Sequence, residues 1–546
     1  MLAHYWKILK DTEKRVEHSL RSQVLAEGPT QGGFVDKKGL IHGKHAIYCA
    51  TTAIAAYCNS DSVYYKEHRV YQMINLALDY VIRVQHDNGL FDLISCNFFS
   101  APDTAFCIKR FLPCLKYLEK QRETQEEEHI YQTIKGIVRK GAEGLKIGGF
   151  HTPNHRWAIA SNLMECGKYF DDEEMILCAN QYLNEGIDCN EDGEFAEKSS
   201  GNYNRINNDA MITLGDITGE ERFYEYAVKN LEMMLTYIEP NGSIFTANST
   251  RQDNGTLVFP KDYYMEYLDM GYRRNIPEYL DMANYIFKII EEKGITAPDH
   301  LIHMMNRPEL KMLEHEGIRN VLDFSRLYQE SGILRVRHGE YSYTLMAQKS
   351  GFLHFSNQTI HMEMKLGGSF FEHRGFIPEV LEKTDTGHCL EQVMKGWYYL
   401  PFKEKPATSD WWKMDNERRE TFEGPQMKLK VQVEEEQDGI NVHIQASGVE
   451  GAPFRVEIAV SGADLLWNEQ FTVQAAPGNS MILKQGNVVF SNSSDSLEIG
   501  PGFGTHLFTN GKFGSEEQSK YAFTLYLTEY TEFDKVIKIR SGKKVV

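Results

Sequence analysis

The stretch YYKEHRVYQMINLALDYVIRVQHDNGLF (Tyr64–Phe91) carries both signals from which the fold class follows. In its first part Val70, Ile74, Ala77, Leu78 and Val81 recur every three or four residues, which is one apolar stripe of an amphipathic helix. The helix is then stopped by Asn88-Gly89-Leu90-Phe91, an amide and a glycine suited to a tight turn with positive φ, followed by residues that want to be buried. Working outward, Ile130–Leu145, Trp157–Tyr169 and Phe223–Tyr237 show the same helical spacing. The glycine–aromatic or glycine–apolar signature returns at Gly33-Phe34, Gly149-Phe150, Gly193-Glu194-Phe195 and Gly242-Ser243-Ile244-Phe245, with a fainter echo at Gly294-Ile295. A recurrence of about fifty residues fits two helices and two loops, and therefore a solenoid or a ring of helical hairpins. An open solenoid needs polar caps. This array stops after five or six units and runs straight into a different kind of sequence, so the expectation is a closed (α/α) toroid of five to six hairpins.

The period changes near residue 325. MKLKVQV (Met427–Val433), RVEIAV (Arg455–Val460) and YAFTLYLT (Tyr521–Thr528) alternate apolar and polar residues, as strands with one wet face do. The expected organisation is multidomain, α then β: a catalytic toroid over 1–325 and an antiparallel β-sandwich over 326–546 that contributes to the edge of the cleft.

Composition narrows the functional classes. The chain of 546 residues is 42% hydrophobic and 25% charged, ordinary for a globular protein, and its net charge of −18 repels nucleic acid and anionic membranes. Its first twenty residues hold no apolar signal-peptide core, and no apolar run is long enough to span a bilayer. Nine cysteines without CxxC spacing read as reduced thiols. The expectation is a soluble, cytoplasmic protein with neither nucleic-acid nor membrane partner, while self-association is left open. No P-loop, dinucleotide fingerprint or nucleophile elbow is present, and no cofactor or metal is expected.

In a ring of hairpins the glycine-bearing loops share one rim, and convergent polar loops on such a face are the default site. The richest segment is His151-Thr152-Pro153-Asn154-His155-Arg156-Trp157, where Pro153 sets a helix start that favours anions. Asn154 supplies an amide, His155 a switchable proton, Arg156 a fork for carboxylate and Trp157 a face for a sugar ring. His151 and His155 have i,i+4 spacing, but Pro153 intervenes and no third zinc ligand is evident. The second segment, Glu194–Arg205, holds Glu194, Glu197, Tyr203 flanked by Asn202 and Asn204, and Arg205. A tyrosine near Arg or His can act as general base and acid. Asp103 reads as the cap of a helix over 104–118, and the histidines of His42–His45 read as turn chemistry. In the β half, His361 and Glu363 share one strand face, and His373 is a weaker candidate.

The ring, the β tail and the pair Asn154-His155-Arg156-Trp157 and Tyr203-Asn204, with His361, resemble the heparinase II/III-type and alginate-lyase-type polysaccharide lyases. The resemblance implies β-elimination on uronic-acid-containing sugars, here on acidic oligosaccharides. It implies that Asn154 or His155 with Arg156 neutralises the carboxylate, that Tyr203 is base or acid, and that His361 assists. Trp157, Arg205, Asn204, Glu197 and His151 would bind substrate. Glucuronide-acting glycoside hydrolases share this architecture, which gives the alternative of an exo-acting glucuronidase using a carboxylate pair drawn from Glu194, Glu197 and Asp87. A sugar-binding protein without catalysis is the second alternative.

Overall fold

A computed structural model describes residues 1–319, 323–368, 370–509 and 516–543. The chain divides into two compact units, Met1–Leu235 with Ile244–Asn320, and Thr236–Ser243 with Val321–Val546. The boundary expected at 325 thus falls inside a strand of the second unit, Phe324–Tyr328.

The first unit consists of α1 (Leu2–Ser22), α2 (Gly43–Tyr57), α3 (His68–Val84), α4 (Ala101–Gln121), α5 (Gln125–Leu145), α6 (Pro153–Phe170), α7 (Glu173–Asn184), α8 (Tyr203–Thr218), α9 (Glu221–Leu235), α10 (Tyr264–Arg274), α11 (Pro277–Glu292), α12 (Leu301–Asn306) and α13 (Pro308–Met312), with a small hairpin of Phe91–Leu93 and Asn97–Ser100. Helices α2, α4, α6, α8 and α10 pack one against the next as an inner layer, each carrying the following helix on its outside. Helix α13 touches both α10 and α1, and α1 touches α2, so the succession returns to its start. Among the described residues this makes five hairpins. The stripe read in α3 is the face it buries, with Val70, Ile74, Ala77, Leu78 and Val81 all inside.

The glycine signature is one turn used repeatedly. Gly89 N–H donates to the His86 carbonyl (2.9 Å) and His86 N–H to that of Leu90 (3.0 Å); Gly193 and Asn190 repeat this with Asn190 and Glu194 (3.0 and 3.1 Å). Gly89 and Gly193 have φ of +86° and +90°. A Cβ on them would lie 1.9 Å from the Lys140 carbonyl oxygen and 2.3 Å from that of Lys229, so the turn presses directly onto the neighbouring outer helix. The aromatic residue that follows is buried at Phe34, Phe91, Phe195 and Phe245. In the first repeat the positive φ belongs to Gly32 rather than Gly33. The Gly149 repeat departs, because Phe150 stays exposed.

The second unit is two stacked sheets, one of nine strands and one of eight, antiparallel apart from the pairing of Ser480–Ile482 with Phe523–Tyr530. In Thr421–Glu436, Met427, Leu429, Val431 and Val433 point into the shared core, as the alternation predicts. Two local expectations need correction. Pro453–Ser461 is central in its sheet and has no wet face: Arg455 and Glu457 are buried as well, with Lys365 and Glu516 close to Glu457. Tyr521 precedes its strand and is exposed. The loop Thr236–Ser243 belongs to this unit because Glu239 needs a partner. It pairs with the fully buried Arg335 (2.7 Å) and accepts from Ser342 (2.7 Å), while Arg335 Nε donates to the Thr236 carbonyl (3.1 Å). Among the described residues no helix is long and apolar enough to cross a membrane.

Candidate active site

The signature turns at Gly33, Gly89, Gly149 and Gly193 precede the inner helices α2, α4, α6 and α8, whose N-termini gather at one rim. On α6, Pro153 takes the first helical position and Thr152 makes no side-chain cap. The cap comes from another loop: Glu197 Oε2 accepts from the Asn154 backbone N–H (3.1 Å) and Oε1 from Asn154 Nδ2 (3.0 Å). A carboxylate at a helix N-terminus is favoured by both the free N–H groups and the dipole. Glu197 is only 2% exposed. Burial pushes its carboxyl above the usual range, against the pull of the Asn154 bonds and of Arg251.

Arg251 Nε lies 3.3 Å from Glu197 Oε1, and its guanidinium stands 5.5 Å from the centre of the Tyr203 ring. Tyr203 opens α8 with its N–H donating to Ser199 Oγ (3.0 Å), and its half-exposed hydroxyl donates to Gln252 Oε1 (3.2 Å). On the facing helix starts, Lys44 of α2 pairs with Asp103 of α4 (2.9 Å) and sits 4.9 Å over the Phe106 ring. His155 rests edge-on against that same ring and accepts a long hydrogen bond from the His151 N–H (3.4 Å). Burial pulls the His155 imidazole down to about 4, with Asp103 opposing and His151, Arg251 and Lys44 assisting. It is therefore neutral near pH 7, with Nδ1 turned to the His151 N–H and Nε2 left as the N–H donor. The rim thus joins a neutral imidazole, a half-exposed phenol, and two cations of which Arg251 is held by a buried carboxylate. Such a set can accept a carbon-bound proton, face a carboxylate and return a proton to oxygen.

No model of a protein family and no curated protein matches the sequence. Among solved structures the chain is similar to the chondroitin AC lyase of Streptomyces coelicolor A3 in complex with chondroitin sulphate, with a TM-score of 0.56 at 11% identity, over 99% of this chain and 80% of that one. It is also similar to a Paenibacillus xanthan lyase, with a TM-score of 0.58 at 10% identity, over 100% of this chain and 57% of that one. The fold is an (α/α) toroid followed by an antiparallel β-sandwich. The likeness to these two polysaccharide lyases is one of fold.

The structure gathers Tyr203, His155, Asn154, Glu197 and His151 at one rim, but their parts differ from those expected. Asn154 is fully buried, with its amide donors spent on Glu197 and Thr152 (3.0 Å), so it positions Glu197 and meets no substrate. Trp157 is also fully buried; its indole N–H donates to Asp188 and offers no face to a sugar. Arg156 lies over that indole (4.3 Å), donates to the Tyr182 and Gly186 carbonyls (2.7 and 3.0 Å) and pairs with Glu185 (3.3 Å), which fixes the end of α7 instead of forking a substrate carboxylate. Asn204 is buried against Met234. Arg205 is half-buried one helical position further on.

Of the carboxylates proposed for hydrolysis, Glu194 and Glu197 are buried and Asp87 is exposed. Glu194 accepts from Asn248 (2.9 Å) and pairs with Lys198 (3.2 Å), and Asp87 stands at the tip of the His86–Gly89 turn. Asp103 is not the helix cap: α4 begins at Ala101, Ser100 caps it, and Asp103 sits in the first turn. His361 lies in the second unit, where Ser356 Oγ is 2.5 Å from Nδ1 and Asn241 Nδ2 is 3.5 Å from Nε2. Glu363 shares its strand face, and His373 Nε2 is 3.0 Å from the Lys395 carbonyl. Sequence reasoning missed Arg251 and the Lys44–Asp103 pair. Arg251 stands in an aperiodic loop, TANSTRQDNG (246–255), with no signal but its charge.

Proposed function

We propose that the chain is a carbohydrate-active enzyme that cleaves uronic-acid-containing oligosaccharides by β-elimination, with its chemistry at the rim of the toroid. The observation that carries this reading is the half-exposed Tyr203 with the Arg251 guanidinium 5.5 Å from the centre of its ring, on a rim that also holds a histidine kept neutral by burial. In such a reaction the uronate carboxylate is neutralised, the C5 proton becomes acidic, and a base removes it. The electron pair forms a C4=C5 double bond, the C4–O bond breaks, and the departing oxygen takes a proton. Arg251 faces the carboxylate, the role that the resemblance gives to Asn154 or His155 with Arg156. Tyr203 serves as base and acid in turn, its phenol going from proton acceptor to donor on one face of the sugar, and the neutral His155 offers an N–H beside it. Asn154 and Glu197 are positioning residues, since they hold Arg251 over the phenol. Preorganised charge facing the enolate-like intermediate supplies the largest share of the acceleration.

The hydrolase alternative is less favoured, because Glu194 and Glu197 are buried against Asn248, Lys198 and Asn154 and already hold partners. The test is product mass on a panel of uronate-containing oligosaccharides. Elimination gives fragments whose masses sum to that of the substrate, together with ultraviolet absorbance from the new double bond. Fragments that sum to substrate plus one water would replace this reading with hydrolysis. Binding without any cleavage would favour the non-catalytic sugar-binding alternative.

A further inference from the structure

Beneath the rim, the interior of the toroid is polar. Lys109 of α4 forms an ion pair with Asp209 of α8. Helix α6 stands between α4 and α8 in the inner layer, so this pair crosses the interior instead of joining neighbours. Further down, Asp299 pairs with Arg110 and accepts from Thr52 (2.9 Å), and the short helix α12 follows it directly. That helix packs on α1, α2 and α4, buries Leu301 and Met304, and ties its last residue, Asn306, to the Pro113 carbonyl (2.9 Å). The far half of the interior is therefore filled. The near half is open, since the Asp209 side chain keeps 43% of its exposure and that of Lys109 25%. At a rise of 1.5 Å per residue, Asp209 lies about 9 Å below Tyr203 along α8, and Lys109 about 9 Å below Asp103 along α4. The result is a pit that runs from the rim to a closed floor.

The charges in this pit do not cancel. Lys109 pairs with Asp209, while Arg110 and Arg15 (4.0 Å) both pair with Asp299. Burial pushes the Glu266 carboxyl above its usual range and lowers the His303 imidazole, and it pulls His300 down to about 3, which leaves that ring neutral. Arg205 lies one turn above Asp209 on α8, close enough to Glu266 to pull on its titration. It makes no ion pair among the described residues. Both ring nitrogens of His300 and Nδ1 of His303 are buried without a partner among the described residues, an arrangement that calls for a hydrogen-bonding occupant.

We infer that the pit is a blind subsite for the acidic terminal sugar of a glycan, with Arg205 facing its carboxylate and the His300, His303 and Lys109–Asp209 floor taking its hydroxyls, so that the chain acts from glycan ends. The inference rests on the reading of the rim as the place of uronate chemistry, and two measurements keep the two apart. The first is a time course of products from a defined glucuronate-containing hexasaccharide. A single small product from the earliest turnover is expected, and intermediates of every length from the outset would overturn the blind subsite while leaving the lyase reading intact. The second is ligand-observed NMR of the whole chain with methyl glucuronide and methyl glucoside, which needs no turnover. Preferential binding of the glucuronide is expected, weakened at least tenfold by Arg205→Met and several-fold by Asp209→Asn. Equal affinity for both sugars, or unchanged glucuronide affinity in Arg205→Met, would overturn the inference. Glucuronide bound in this way by a chain that cleaves nothing would uphold the pit and remove the lyase chemistry.

Discussion

Replacing Arg251 by Met isolates the electrostatics of the rim. In the native arrangement Glu197 is 2% exposed, accepts two hydrogen bonds from Asn154 and faces the Arg251 guanidinium at 3.3 Å. At an effective dielectric near 20, opposite charges at that distance attract by about 5 kcal/mol. The Arg251 side chain keeps 27% of its exposure and the Asn154 bonds survive the substitution, so the expected loss is smaller, about 2 kcal/mol at pH 7. The loss must depend on pH. Burial already holds the Glu197 carboxyl above its ordinary value, so ionising it works against the fold, and removing Arg251 raises that value further. Below the ordinary carboxylate range Glu197 is protonated in the folded and unfolded chain alike, and the variant should lose little. The deficit should grow as pH rises through the carboxyl's raised folded-state value and then level off. Urea unfolding of wild type and Arg251→Met between pH 4 and pH 8, followed by fluorescence, measures it. A deficit equal at both ends would refute the idea that Arg251 balances a buried charge. Turnover of an acidic oligosaccharide should fall at least a hundredfold at pH 7 in the same variant, because the cation facing the substrate carboxylate is gone.

Tyr203→Phe removes only a hydroxyl and should lower kcat by about a hundredfold to ten-thousandfold with KM nearly unchanged, as steady-state rates would reveal; a rate within tenfold of wild type would take Tyr203 out of the proton transfers. Trp157→Ala should destabilise the first unit by about 3–5 kcal/mol in chemical denaturation, while the surviving folded fraction binds sugars with unaltered selectivity. For His155, whose folded value is lowered from 6.5 to about 4, stability is lost as pH falls from the upper figure towards the lower, because the unfolded chain takes up the proton first. His155→Gln should flatten that acid limb of the unfolding midpoint against pH, and an unchanged limb would assign it to other groups. Gly193→Ala, which meets both a φ of +90° and a carbonyl oxygen at 2.3 Å, should lower the thermal midpoint far more than Gly219→Ala, which meets only a φ of +72°.

The architecture was readable because it rests on local rules that repeat. Helical stripes such as that of α3, followed by a glycine turn and a buried aromatic, state the hairpin unit in a few dozen residues, and the alternation of Met427–Val433 states a strand. The candidate site was readable only as a neighbourhood. Four consecutive residues, Asn154 to Trp157, look like a functional cluster on paper, yet on α6 each is turned about 100° from the last. His155 consequently meets the Phe106 ring and the rim, Arg156 reaches back to α7, and Trp157 enters the core. The chemistry of Asn154 suits a substrate contact, and its burial under Glu197 has no signature in sequence.

The sequence by itself determined the order of helices and strands, the repeat, the change of period between the halves and the rim on which polar loops converge. Each of these follows from periodicity and turn chemistry acting over short stretches of chain. The tertiary structure alone decided which side chains face one another. Arg251 comes to Glu197 where two loops meet, and Lys109 to Asp209 across the ring through packing of helices far apart in the chain. Whether a polar residue supports the fold or remains free to act depends on the partners that packing leaves it. Arg156 and Arg205 show this within one helical layer: the first is tied to two carbonyls and a carboxylate, and the second has no ion-pair partner among the described residues.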